Sequence, residues 1–461
     1  MGESVRGGIA GAPGPSPQDC LVEFRRRLHS CLSGWGDALF ELADSLICAP
    51  GPVSSVPSLS LEPTFRRGHG SLYKALARGS IDTAGMRRVL VENRPADWPL
   101  VFAVDTSTWE RCDAETSPER GFYYSASKHS AGQPIVAGWS YQWLCQLNWE
   151  PDSWTAPLDV TRIPPDADAT TATVDQLRRL VALLPGDGEV PLFVFDAGYD
   201  PIALTDALGD SRAQLLVRLR SDRVFYADPP RRRGGAGRPA RHGHRFGLSD
   251  PGRKPRPDAE RRANDARYGA VRVRAWKNLH PKLAGRGRWA GDQPPPIVAG
   301  TIIRVDVEHL PKPTRAIKTL WLWWSGPGEA DLDLCWRAYL RRFDIEHTNR
   351  FTKNTLGWTT PSLQTPQQAD RWTWLVVAAH TQLRLARGLI QDARLPWERP
   401  RDPANLTPAR VRRGFCQLRA IIGTPASPPK SQTPGPGRPK NTRRPPRTRH
   451  PAIKKGDKTT Q

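Results

Sequence analysis

Two aspartates and a glutamate carry the chemistry legible in this 461-residue chain. Asp105 ends the apolar run in PLVFAVDTST (99–108), and Asp196 ends the one in PLFVFDAGYD (191–200). Both runs read as short buried strands, and each acid precedes a small or turn-forming residue. A carboxylate at the C-terminal end of a buried strand is rigidly held and opens toward the crevice where α/β sheets take ligands. Either aspartate alone also reads as a turn-former capping the next element. On neighbouring central strands, two acids facing one point would repel unless a divalent cation lay between them. Their hard oxygens suit Mg²⁺ or Mn²⁺, and no histidine or thiolate cluster argues for zinc.

The third acid, Glu346, lies in YLRRFDIEHTNRFTK (339–353), which predicts a helix over about 338–353. Tyr339, Arg342, Glu346, Arg350 and Lys353 have offsets 0, 3, 7, 11 and 14. On one helix these fall at about 0°, −60°, −20°, 20° and −40°, a single face. Leu340, Phe343 and Phe351 supply an apolar flank for packing. A solvated face with Arg342 paired to Glu346 at i,i+4 is the competing reading. One acid among several cations can instead hold a metal and leave positive charge for phosphate.

The elements that position these residues follow from pattern and composition. Residues 1–17 are rich in Gly, Pro and Ser and are expected to be disordered, and 18–95 to be helical. Within that stretch Ser71–Glu92 has the rhythm of a helix-turn-helix, with Arg87 and Arg88 on the second helix, or of two ordinary core helices. Strands are predicted around Asp105, at 121–127, at 134–149, around Asp196 and at 214–219, with helices at 174–184 and 201–208. That grammar is an α/β sheet of mixed direction. A basic loop (228–266) and strand patterns at 271–276, 297–307 and 319–324 form a mostly β insertion over 221–330. Helical sequence resumes over 331–392, with a further helical region at 393–422. The tail, 423–461, has ten basic residues and one acid and is expected to be disordered.

Lys and Arg total 68 against 46 Asp and Glu, a formal charge of +22, which predicts attraction to a polyanion. An arginine-rich composition from a GC-rich genome would raise the charge as well. The seven scattered cysteines form no CxxC pair, so neither a disulfide framework nor a zinc knuckle is suggested, and they read as small buried thiols. No leader peptide and no membrane span are legible, so a soluble cytoplasmic, nucleoid-associated protein is expected.

Tyr339-x2-Arg342-x3-Glu346-x6-Lys353 resembles the Tyr-Arg-Glu-Lys signature of the DDE cut-and-paste insertion-sequence transposases of bacteria. Leu356–Trp358 and the helix over 372–387 are also similar to that group, and the resemblance covers about 99–390. It implies an RNase H-like catalytic domain, over 96–220 and 331–392, interrupted by the β insertion. It implies that Asp105, Asp196 and Glu346 bind Mg²⁺, as two ions, and cut double-stranded DNA at transposon ends before strand transfer into target DNA. Tyr339, Arg342 and Lys353 would contact phosphates, with Arg350 beside them. Lys128 and His129, on a turn after the second strand, could add DNA-backbone contacts or simply face solvent. A base-stacking tryptophan would come from the insertion, with Trp276, Trp289, Trp321, Trp323 and Trp324 as candidates. A homodimer is expected, because two ends must be synapsed. A non-cutting DNA-binding descendant and a stand-alone RNase H-like nuclease are the alternatives.

Overall fold

The computed structural model describes residues 15–129, 133–230, 240–250, 254–291, 294–309, 319–431, 439 and 445–454. The expected basic features Arg231–Arg233 and Gly237–Pro239 lie outside them, as do residues 1–14. The chain divides into two compact units. A helical unit comprises Met1–Val89, Phe351–Pro361 and Arg371–Asn441, and a sheet unit comprises Leu90–Arg350, Ser362–Asp370 and Thr442–Gln461.

The chain opens with α1 (Pro17–Ser30), α2 (Gly36–Cys48), α3 (Val56–Leu59), α4 (His69–Arg78) and α5 (Thr83–Glu92). The sheet unit follows with β1 (Val101–Glu110), β2 (Gly121–His129), β3 (Gln133–Gln146), β4 (Ala156–Ile163) and α6 (Ala169–Val181). It continues through β5 (Leu192–Phe195), α7 (Pro201–Ala207) and β6 (Gln214–Leu219). Strands β7 (Val224–Tyr226), β8 (Arg245–Gly247), β9 (Ala259–Asp265), β10 (Gly269–Leu279), β11 (Gly300–Val307) and β12 (Thr319–Ser325) come next. Four helices complete the chain: α8 (Leu332–Arg341), α9 (Asp344–Asn354), α10 (Pro366–Ala386) and α11 (Pro408–Ile422).

In the helical unit the apolar spacing of α1 and α2 buries Leu21, Phe24, Leu28, Leu39, Leu42 and Leu46. Ser16 starts α1 with a capping box to Asp19. The core also holds a charged pair: Arg25 meets Asp44 at 2.6 Å, both nearly inaccessible, and Arg419 reaches the same carboxylate at 3.2 Å. The two helices expected within Ser71–Glu92 are α4 and α5. Their turn is bonded to the α1–α2 connection, Ser80 N–H to Gly34 O (3.0 Å) and Asp82 N–H to Cys31 O (2.8 Å). A Cβ at Gly79 would lie 2.3 Å from Ala75 O, so glycine is required there. Arg87 is half-buried and stacks over Trp374, while Arg88 is exposed. Leu356 and Trp358 are fully buried; Gly357 between them takes φ +65°, and a Cβ there would lie 2.6 Å from Val53 O.

The sheet unit is built on one sheet in the order β2-β3-β1-β5-β6-β12-β11-β10-β9, with β4 paired to β3. Strands β1, β3 and β4 are antiparallel, and β1, β5 and β6 are parallel. The first difference from expectation is β4, whose sequence APLDVTRI carries no clear alternation yet is buried against β3. The second is the insertion, which continues the same sheet, because the apolar TLWLWWS of β12 pairs antiparallel with β6. A third is that Lys128 and His129 end strand β2, with His129 paired to Gln133, and do not follow it on a turn. Two cysteines, Cys112 and Cys416, are exposed, against the expectation that all are buried. Among the described residues no helix is long and apolar enough to cross a membrane.

Part of the tail makes specific bonds. Arg66 and Arg67 donate to Ala426 O (2.9 Å) and Ser427 O (2.8 Å) within the helical unit. In the sheet unit His450 N–H bonds Glu115 O and Ile453 N–H bonds Arg120 O, each at 2.7 Å, and Ile453 bridges Gly121 at the start of β2. The buried Arg120 side chain donates to His450 O at 2.6 Å. These residues were expected to be disordered by composition. Main-chain pairing at a sheet edge depends little on side chains, so composition does not report it.

Deleting Thr442–Gln461 removes these three bonds. The expected outcome is a stability loss of about 1–3 kcal/mol in chemical denaturation, and in the intact protein the donating amides of His450 and Ile453 should exchange slowly. Unchanged stability with fast exchange at those two amides would show that these bonds contribute nothing.

Candidate active site

Parallel pairing of β1 with β5 sets Val101 against Leu192, Phe102 against Phe193 and Ala103 against Val194. Carried on two residues, that register puts Asp105 level with Asp196, on strands about 4.8 Å apart and on the same face. The four residues before Asp105 are buried, since β1 lies between β3 and β5, and Asp105 itself stands opposite Trp143 of β3. Asp196 follows the last paired residue of β5, where Gly198 N–H donates to its Oδ1 at 2.8 Å. The β5–β6 register sets Phe195 against Val217, so Arg218 is next in line beside Asp196.

Glu346 arrives on a different element. The helix expected over 338–353 is two helices, because the chain turns at Arg342 and Phe343 between α8 and α9. Ile345 N–H bonds Arg342 O (3.1 Å) and Glu346 N–H bonds Phe343 O (3.0 Å), a tightened i,i+3 turn. Phe343, expected to pack inward, is 45% exposed; Ile345 is buried in its place. The turn sets Glu346 in the first turn of α9, where the helix dipole favours an acid.

The Arg342 guanidinium lies between two of the acids. Its Nη1 is 3.7 Å from Asp105 Oδ1, and its Nη2 is 3.5 Å from Glu346 Oε1. Nη1 is buried and makes no hydrogen bond. Asn349 Nδ2 approaches Asp105 Oδ2 at 3.5 Å. Burial pushes the Asp105 carboxyl up to about 7; Arg342 opposes this, and Asp196 and Glu346 add to it. Burial likewise raises Glu346, against Arg342 and Arg350. Burial would lower the Arg342 guanidinium, but Asp105, Tyr339, Asp196 and Glu346 together hold it above its usual range. The acids thus carry more negative charge than one guanidinium neutralises.

Among the described residues no three acidic, imidazole or thiol groups are spaced to enclose a metal ion. The donor set is nevertheless all carboxylate, and a guanidinium bridges two of its members, so its chemistry and charge fit a hard divalent cation. Tyr339 is 7% exposed, its phenol raised by burial and facing Arg218 and Arg342. Arg350 is exposed on α9 and acts on Glu346. Lys353, in the last turn of α9, belongs to the helical unit, where its Nζ lies 5.6 Å from the Trp358 ring. Of the five candidate tryptophans, Trp276, Trp321, Trp323 and Trp324 are buried and Trp289 is half-buried. Arg218 is a residue the sequence reading missed. The signal for it was a lone arginine within the apolar strand QLLVRL.

The family described as DDE superfamily endonuclease matches residues 27–282, more than half of the chain. The chain belongs to the DDE superfamily endonucleases. The matched span holds Asp105 and Asp196 and ends before Glu346. No curated protein matches this DDE endonuclease sequence. Among solved structures the DDE endonuclease chain is similar to the cryo-EM structure of a piggyBac transposase synaptic complex with hairpin DNA, at 10% identity. The TM-score is 0.38, with 88% of this chain and 80% of that chain covered, a likeness too loose to bear on function.

Because the folded-state pKa of Asp105 lies above the unfolded value, the native state holds a proton the unfolded chain has lost between about pH 4 and 7. That contribution to stability therefore falls as pH rises through this window. In chelator-treated protein, Asp105→Asn is expected to gain about 2–3 kcal/mol over wild type on going from pH 5 to pH 8, measured by urea denaturation. A pH-independent difference would contradict the burial account.

Proposed function

We propose that this DDE endonuclease is a transposase that cleaves double-stranded DNA at the ends of a mobile element and transfers the strands into target DNA. The observation that supports it most is the level placement of Asp105 and Asp196 by the β1–β5 register, with Glu346 joined to them through Arg342. The strand order β4-β3-β1-β5-β6, three antiparallel strands continued by two parallel ones, is the arrangement expected of an RNase H-like catalytic fold.

Asp105, Asp196 and Glu346 would hold the Mg²⁺ or Mn²⁺ ions, two of them in this reading, and such ions would supply activation of an attacking hydroxyl and stabilisation of the departing oxygen. Arg342 is desolvated beside the acids and offers its unbonded Nη1 to a phosphate oxygen at the cut. Arg218 and the Tyr339 hydroxyl, which face each other, extend this grip. Arg350 and Lys353, further along α9, and Lys128 and His129, at the end of β2, are further candidates for contacts to the DNA backbone. Trp289 is the insertion tryptophan accessible enough to stack on a flipped base. Two chains would synapse the two ends.

A labelled DNA carrying the element's end, incubated with Mg²⁺, tests this. Wild type is expected to cut it. Asp105→Ala is expected to be at least ~10³-fold slower, while still binding the DNA. Equal cleavage by the two proteins would overturn the assignment.

A further inference from the structure

Behind the aspartates runs a buried network of neutral polar side chains. Gln142 of β3 stands opposite Thr106, the residue after Asp105, and is 1% exposed. Its side-chain oxygen accepts from the Tyr199 hydroxyl at 3.1 Å and from Thr173 Oγ1 at 2.9 Å. Its Nε2 donates to Gln176 Oε1 at 2.6 Å, and Gln176 Nε2 donates back to the Gln142 main-chain oxygen at 3.3 Å. Thr173 and Gln176 are fully buried residues of α6. Three elements are thereby tied to one amide, in an interior where an unbonded polar group is costly.

Tyr199 is the point where this network meets the acids. It sits in the loop Asp196–Asp200, between the end of β5 and the start of α7. Pairing of β5 ends at Phe195, so the ladder does not hold Asp196 itself. The loop is pinned at Asp196 by Gly198 N–H, at Asp200 by its capping of Ile202 and Ala203 N–H, and at Tyr199 by Gln142. Of these, only the Tyr199 contact ties the loop to the β1–β3 side of the sheet. The ring also packs on Phe195 at 4.9 Å. Burial and the two aspartates hold the phenol well above its usual range, so it stays a neutral donor.

We propose that Tyr199 is a positioning residue: its hydroxyl bond to Gln142 holds the Asp196 loop against β3 and so keeps Asp196 level with Asp105. This rests on reading the two acids as the metal-holding centre. Tyr199→Phe removes one oxygen and keeps the ring packing. Titration of the full-length protein with Mn²⁺, followed by electron paramagnetic resonance without DNA, should show 10–100-fold weaker binding, of the order found for residues that orient metal ligands. The melting temperature should stay at the wild-type value.

Gln142→Leu should weaken Mn²⁺ as well, but by no more than Tyr199→Phe, because the Tyr199 hydroxyl keeps its bond to Thr106, and the melting temperature should fall because Gln176 loses its partner. The double variant should be no weaker for Mn²⁺ than the worse single one, since both act through one contact. Wild-type Mn²⁺ affinity in Tyr199→Phe, or additive losses in the double variant, would overturn the role of Tyr199. If wild type bound no more Mn²⁺ than Asp105→Ala, the metal-centre reading would fall, and this inference with it.

Discussion

The register of one short parallel pair governs the rest of the sheet unit. Three residues of β1 against three of β5 bring the ends of the two strands level at the mouth of a buried sheet, and the loop that follows β5 carries Asp196. Two carboxylates at the ends of adjacent strands, with little water between them, repel each other. Something must relieve that repulsion, and the structure contains two partial answers. Asp105 resists losing its proton, and the Arg342 guanidinium is drawn in against its own desolvation. Under the proposed function, a divalent cation would take the place of both.

The break between α8 and α9 is the second consequence. A continuous helix would carry the Tyr339-to-Lys353 face past the acids as a straight ridge. The tight turn at Arg342 and Phe343 instead redirects the chain, so that Arg342 at the end of α8 and Glu346 in the first turn of α9 both act on Asp105. The same turn leaves Phe343 facing solvent and places Ile345 in the core. Seven residues after Glu346, the chain has already entered the helical unit, where Lys353 lies over Trp358.

The insertion and the tail answer the needs of the sheet. Strand β6 is buried on its sequence and requires a neighbour on the side away from β5; β12 supplies it, and β11, β10 and β9 follow. Their interior is filled by aromatic contacts, Trp276 with Trp321 and Phe246, and Trp323 with Phe225. At the other end, Ile453 pairs with the first residue of β2 and so covers part of an edge that would otherwise be open to another strand.

Much of this was legible in the sequence, because local pattern is set by burial. Asp105 and Asp196 each follow an apolar run, and both runs are strands. The spacing from Tyr339 to Lys353 marked the third acid and its neighbouring cations, and the strand patterns in 271–276, 297–307 and 319–324 marked β10, β11 and β12, whereas β8 and β9 lie in what read as a basic loop. What remained hidden depends on pairing across distance. The level placement of the two aspartates is a register, Arg218 enters only through the next register along, and Tyr199 matters only because Gln142 and α6 lie behind it. The kink at Arg342 and Phe343 opposes a helical pattern that is intact in sequence, and the tail docks through main-chain atoms that composition cannot report. The sequence by itself determined which residues carry charge and which segments bury apolar surface, since both are properties of side chains. The tertiary structure decided which charges meet, because that depends on strand register, on a turn, and on buried hydrogen bonds between residues far apart in the chain.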